Sequence, residues 1–133
     1  MGDGYTFVGD NISPIKDRKA YELSKVITSP VKRYPGTVVL SDPLTFPQAF
    51  AWEDALASVG EVKESGSIAR IRYALLPGIL ACVEEWHLGG GFPERPALDT
   101  FPSTPRVSVA NLIDWLVGEI TALYQEADEV PLA

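Results

Sequence analysis

The stretch VKRYPGTVVLSDPLTFPQAFAWEDAL, from Val31 to Leu56, decides the predicted architecture. Its β-branched run TVVL predicts a short strand that follows a turn at Pro35-Gly36. Thr45 and Gln48 then match the capping box of a helix that we expect over residues 46–59, with a proline in its first turn. The segment therefore predicts a strand that leads into a helix through a joint fixed by prolines.

Two further helices are predicted by apolar residues that recur every three or four positions. The first extends over residues 68–88, where the Pro77-Gly78 pair either kinks it or divides it. The second extends over residues 107–127. Its apolar stripe consists of Val109, Leu112, Ile113, Leu116, Ile120, Leu123 and Tyr124. Between these helices, the proline-rich segment 92–105 predicts either a loop over the surface or an ordered crossover.

The N-terminal part of the chain has weak periodicity. Residues 1–28 are predicted to form an N-terminal arm, either flexible or with a short helix over residues 17–27. Residues 29–35 are expected to be extended, because a residue before proline avoids the helical region. Residues 29–133 are predicted to form a single helical domain. The predicted fold class is mainly α, a small bundle of about three main helices with a short strand or hairpin before the first helix.

Composition excludes several classes of protein. The chain has 133 residues, the length of one domain, and a net charge of −7, which argues against a nucleic-acid partner. The longest uncharged apolar run, residues 73–83, is too short to cross a bilayer, so we expect no membrane partner. The start of the chain does not match a signal peptide. A single cysteine, Cys82, cannot form an internal disulfide and fits a reducing cytosol.

Few residues could support chemistry. His87 is the only histidine, and Cys82 lies five positions earlier, a poor spacing for a shared metal or for a nucleophile and its base. Glu84 and Glu85 are adjacent, and a solvated helix face is the better interpretation of such a pair. We therefore expect no catalytic residues, no metal site and no cofactor, and we predict that the protein is not an enzyme.

Two charged residues fall on apolar helix faces. Glu53 lies among the apolar residues of the first helix, and Arg72 lies in the stripe of the second. An unpaired buried charge is costly, so we hypothesise that Glu53 and Arg72 form an ion pair where the two helices cross. The alternative is that Arg72 reaches water. Trp115, off the main stripe of the last helix, either marks a contact surface or packs under the proline-rich loop.

The run SPVKRYPGTVVLSDPLTFPQAFAWEDAL, followed by LLPGILACVEEW, a proline-rich loop and LIDWLVGEITALYQEADEVP, resembles the tail assembly chaperones of long-tailed phages and prophages. The resemblance covers roughly residues 29–131 and lies in the overall pattern, so no functional residue is transferred from it. It implies a small, acidic, mostly helical protein of the host cytoplasm. Such a protein binds the tape measure protein, keeps it soluble and helps to recruit tail tube subunits.

On this interpretation, Trp52, Trp86 and Trp115 are candidate partner-binding residues, and the acidic body keeps the loaded complex dispersed. The first alternative is a small structural tail or connector subunit of the virion. The second is an enzyme with a carboxylate site around Glu84, Glu85 and Asp114. A regulatory or inhibitory binding protein is a third alternative. Homo-oligomers are compatible with each of these roles.

Overall fold

A computed structural model describes residues 23–129 of the chain, and the side chains of residues 23–126. The elements are β1 (Ser24–Thr28), β2 (Gly36–Ser41), α1 (Phe46–Val62), α2 (Ile68–Cys82), β3 (Val83–Leu88) and α3 (Arg106–Glu129), with a single 3-10 turn (Lys63–Ser65) after α1. The strands form an antiparallel sheet in the order β1-β2-β3. The described part is thus a mixed α/β domain of three helices and a three-stranded sheet. The predicted mainly-α fold class is wrong, because β2 pairs with a strand on each side.

The first two strands form a hairpin in which Ser24 pairs with Ser41 and Thr28 with Thr37. The Ser29 N–H donates to the Gly36 carbonyl over 2.9 Å and closes the loop. The predicted helix over residues 17–27 is wrong for residues 24–27, which are strand. Residues 1–22 of the predicted arm lie outside the described residues.

β3 begins directly after α2, inside the segment predicted to be helical up to residue 88. Val83 is already extended, with φ −88° and ψ 124°. The pairing of β3 with β2 shifts register at Glu84, so that Val83 faces Leu40 but Glu85 faces Val39. This extra residue places the buried side chains of Val83 and Trp86 three positions apart, a spacing that imitates a helix.

The joint between β2 and α1 has the predicted capping box. The Thr45 hydroxyl accepts from the Gln48 N–H over 3.3 Å, and the Gln48 side chain accepts from the Thr45 N–H over 2.9 Å. Both bonds satisfy backbone donors that the helix itself leaves free. The helix begins at Phe46 as predicted and ends at Val62, three residues beyond its predicted end.

The two consecutive helices α1 and α2 approach closely at Gly78. A Cβ atom at this position would lie 2.8 Å from the Ala55 Cβ and 2.8 Å from the Trp52 Cε3. Only a glycine fits without displacement of these neighbours. α2 continues through Pro77 to Cys82, so the Pro77-Gly78 pair does not divide the helix.

The core is shared by the sheet and the helices. Val38 and Leu40 of β2 are fully buried in the same cluster as the apolar face of α3. The predicted stripe of α3 is confirmed, since six of its seven residues are buried and Tyr124 is partly buried. By length and composition, residues 106–126 also fit a membrane-spanning helix, with a mean hydropathy of 1.2. A core helix often passes the same test, so this is weak evidence for a membrane.

Four aromatic residues anchor the proline-rich segment to the sheet. Trp86 stacks on Phe92 at 5.1 Å between ring centroids, and Phe101 packs edge-on against both rings. Tyr34 from the hairpin loop meets Phe92 edge-on, and its hydroxyl donates to the Thr104 carbonyl over 3.1 Å. Of the two alternatives for residues 92–105, the structure therefore supports the ordered crossover.

Candidate binding groove

The three tryptophans predicted to bind partners have other surroundings. Trp52 is 1% exposed and packs against Gly78, and Trp86 is 9% exposed within the aromatic cluster. Both rings are buried in this fold, so neither presents an exposed contact surface. Trp115 is partly buried against the core and presents only part of its surface.

The predicted ion pair between Glu53 and Arg72 does not form, because each side chain has another partner. The Arg72 guanidinium donates from Nε and Nη2 to the two carboxylate oxygens of Asp114, each over 2.9 Å. The Glu53 carboxylate accepts from the Tyr124 hydroxyl over 2.5 Å. Both side chains therefore contact residues of α3, a helix that the predicted ion pair did not involve.

The acidic residues of the enzyme alternative take separate partners. The Ser41 hydroxyl donates to the Glu84 carboxylate, and Glu85 contacts His87 Nε2 at 2.8 Å. Asp114 is bound to Arg72. In the part of the chain that the structure describes, no group of three or more His, Cys, Asp or Glu residues could hold a metal ion.

The thiol of Cys82 is a core group. Burial raises its pKa from 9.0 to about 11, because the thiolate would lose its hydration. At neutral pH the residue is a protonated thiol and a poor nucleophile. Its sulfur lies 3.7 Å from the Gln48 carbonyl oxygen, a weak contact between the ends of α1 and α2.

The structure contains an open apolar cavity of about 610 Å³ between α2 and α3, which we call the α2–α3 groove. The crossover forms its end wall with Phe101, Pro102 and Ser103. The two helices form its sides. Their lining residues are Ala69, Arg72, Tyr73 and Leu76 from α2, and Arg106, Val107, Val109, Ala110 and Ile113 from α3.

The lining residues have helical spacing on both sides. On α2 they occupy positions i, i+3, i+4 and i+7 from Ala69, and on α3 the same four positions from Arg106 together with Val107 at i+1. Each helix therefore presents a single face, and Ala69 and Ala110 leave room between the larger side chains. Two such faces side by side form the kind of groove that accepts a third, amphipathic helix.

A second hollow of about 370 Å³ extends the groove along α2. It is lined by Val62, Ala69, Arg70, Tyr73 and Ala74, so that Ala69 and Tyr73 belong to both hollows. The Tyr73 ring, 58% exposed, lies at the junction. The combined surface reaches from the end of α1 to α3.

The charge of the groove is opposite to that of the protein. Arg70, Arg72 and Arg106 line the two hollows, and they are three of the eight basic residues between positions 23 and 129. None of the acidic residues of that range belongs to the lining. The charged side chains of the described lining are therefore all basic, and one of them, Arg72, is paired with Asp114.

A second exposed apolar surface lies on α1. The rings of Phe46 and Phe50 stack on each other at 6.1 Å and are 79% and 59% exposed. Both residues lie on the side of α1 that faces away from Trp52 and the core. We call these two rings the α1 aromatic pair.

No protein-family model, curated protein or solved structure matches the chain. The groove was also missed by sequence reasoning, because its two walls are more than thirty positions apart in the chain. The signal that could have found it is the second, weaker stripe on α2, formed by Ala69, Tyr73 and Leu76 beside the core stripe.

Proposed function

We propose that the protein is a non-enzymatic tail assembly chaperone. In this role it binds the tape measure protein in the host cytoplasm, keeps that long helical chain soluble and helps to recruit tail tube subunits. The observation that carries the proposal is the α2–α3 groove, an open apolar surface whose two walls both have helical spacing. A helical client can bury apolar residues there without any chemical step.

The charge of the chain fits such a role. Binding an apolar client requires an exposed apolar surface, and the groove with Tyr73 and Val107 provides it. The net charge of −7 keeps loaded complexes apart through mutual repulsion. An apolar groove on an acidic body thus combines client binding with dispersion.

The second candidate function is a small structural tail or connector subunit of the virion. The α1 aromatic pair favours it, because a subunit held permanently in an assembly would bury more than one apolar surface. The two functions differ in what remains in the finished particle. Mass spectrometry of purified mature particles separates them, since a subunit is present in stoichiometric amounts and a chaperone is absent.

The direct test of the proposed function is co-expression. The client we expect is the product of a long, coiled-coil-rich reading frame directly downstream of this one. Co-expression with the present chain should move that product from the insoluble to the soluble fraction, and affinity purification should recover both chains together. An insoluble client in the presence of abundant folded chaperone would contradict the proposal.

A further inference from the structure

We propose that the α2–α3 groove selects an amphipathic helix whose apolar residues are flanked by glutamate or aspartate. This inference rests on the proposed function and specifies the chemistry of the client segment. The apolar residues fill the groove at positions i, i+3, i+4 and i+7, and the flanking carboxylates face Arg106 in the groove lining and Arg70 in the adjoining hollow along α2. We call Arg70 and Arg106 the rim arginines.

The floor of the groove is apolar. Leu76, Val109 and Ile113 belong to the buried core and also line the groove. The small side chains of Ala69 and Ala110 give a partner backbone close access. A floor of this kind binds apolar side chains and offers little to the phosphates of a nucleic acid.

Arg70 and Arg106 both lie near the N-terminal end of a helix. Arg106 is the first residue of α3, and Arg70 lies in the first turn of α2. The N-terminal end of a helix carries partial positive charge, so a cation there is unfavourable within the chain. Neither first turn contains an acidic residue that would compensate. These positions are therefore slightly unfavourable for arginine within the chain, and an acidic partner would offset that cost.

The two rim arginines have no ionic partner within the described chain. The salt bridges among residues 23–129 involve Lys25, Arg72 and His87, but neither Arg70 nor Arg106. Arg72 differs, because its guanidinium is already held by Asp114. Arg106 in the groove and Arg70 in the adjoining hollow thus each contribute positive potential, which attracts carboxylates and repels a basic helix.

The experiment compares two labelled peptides that differ only in charge. Each is an amphipathic helix of about 20 residues, long enough to be helical, with leucine at the groove-facing positions. One carries glutamate at the flanking positions and the other carries lysine. Fluorescence anisotropy with the full-length chain should show the glutamate peptide binding more than about tenfold tighter, a preference that added salt reduces.

Charge reversal at the rim tests the assignment to the groove. Arg70→Glu and Arg106→Glu should each weaken binding of the glutamate peptide by about tenfold and improve binding of the lysine peptide. Arg95→Glu, an exposed reversal outside the groove lining, is the matched control and should change neither affinity. Arg106→Glu places a carboxylate at a helix N-terminus, which favours folding, so lost binding cannot be attributed to unfolding.

Any one of the following results would overturn the inference. They are equal affinity for the two peptides, an effect of Arg95→Glu as large as that of Arg106→Glu, and displacement of the glutamate peptide by oligothymidylate, which would indicate a nucleic-acid site. Self-association through the groove would also overturn it, and would appear as weaker peptide binding at higher protein concentration.

The co-expression assay separates this inference from the proposed function. If the Arg70→Glu, Arg106→Glu double variant keeps the client as soluble as the wild type does, the charge selection is wrong and the chaperone function stands. If the glutamate peptide binds selectively but the wild type never solubilises the client, the chaperone function is wrong and the groove chemistry stands.

Discussion

Arg72 and Asp114 form a bidentate ion pair that joins α2 to α3 beside the groove, with both N–O distances at 2.9 Å. The hydrogen bond to Asp114 raises the pKa of Arg72 above its usual value and so favours the charged guanidinium. The fork geometry fixes two bonds at once. The pair therefore bridges the two walls of the groove.

The first prediction concerns the energy of this pair. Asp114→Asn should lower the free energy of unfolding by about 0.5–1 kcal/mol in urea titrations, because the carboxylate is 54% exposed and solvent screens the pair. Added salt should reduce the difference. Glu126→Gln, an exposed substitution on the same helix, is the control. An effect of Asp114→Asn that is independent of salt would show that the pair acts through something other than charge.

The second prediction concerns the contact between α1 and α2. Gly78→Ala should destabilise the protein by about 1–3 kcal/mol, because the added methyl group meets Trp52 and Ala55 at 2.8 Å. Gly118→Ala in α3, where nothing lies within 4 Å, should instead be stabilising by about 0.5–1 kcal/mol. Thermal unfolding of both variants measures the contrast. Two changes of the same sign would mean that the helices do not pack as described.

The third prediction concerns pH and Cys82. Its pKa is about 11 in the folded protein against an ordinary value of 9.0, so folding favours the protonated thiol. That contribution is fully present below pH 9 and is lost as the pH rises through 11, a loss of up to about 3 kcal/mol. Cys82→Ala has no such group. The stability difference between wild type and variant should therefore shrink across this range, and a constant difference would contradict the burial of the thiol.

The fourth prediction concerns the α1 aromatic pair. If the groove holds the client, replacing Phe46 and Phe50 with serine should leave peptide affinity and client solubility unchanged, because both rings lie on α1, outside the groove lining. Both positions are exposed, so folding should also be preserved. A client that precipitates with this double variant would place the binding surface on α1.

Local signals in the sequence predicted local structure well. The capping box of Thr45 and Gln48 and the stripe of α3 depend on residues within a few turns of each other, and both are confirmed. A hairpin before the first helix was one of the predicted alternatives, although its first strand was assigned to a helix. β3 depends on pairing with β2, a distant segment, which a single sequence does not display. At Glu84 the register shift places buried strand residues at the spacing of a helix. The recurrence of apolar residues every three or four positions, which correctly identified α3, therefore predicted a helix where β3 lies.

The site was harder to predict than the fold. Tryptophan was expected at a contact surface, yet Trp52 and Trp86 serve the core, where large aromatic rings fill the most space. Ala69 and Ala110 give the groove its width, and alanine carries no signal of function in a sequence. The positions of Arg70 and Arg106 near helix N-termini could have been noticed once the helix bounds were known.

The measurement that tests the central claim most directly is client solubility with the groove filled. Ala69→Trp places a large ring where the two hollows meet, and Ala81→Trp places the same ring on an exposed position of α2 outside the groove lining. We predict that the Ala81→Trp protein keeps the co-expressed client soluble and that the folded Ala69→Trp protein does not. Equal solubility with the two variants would contradict binding in the α2–α3 groove.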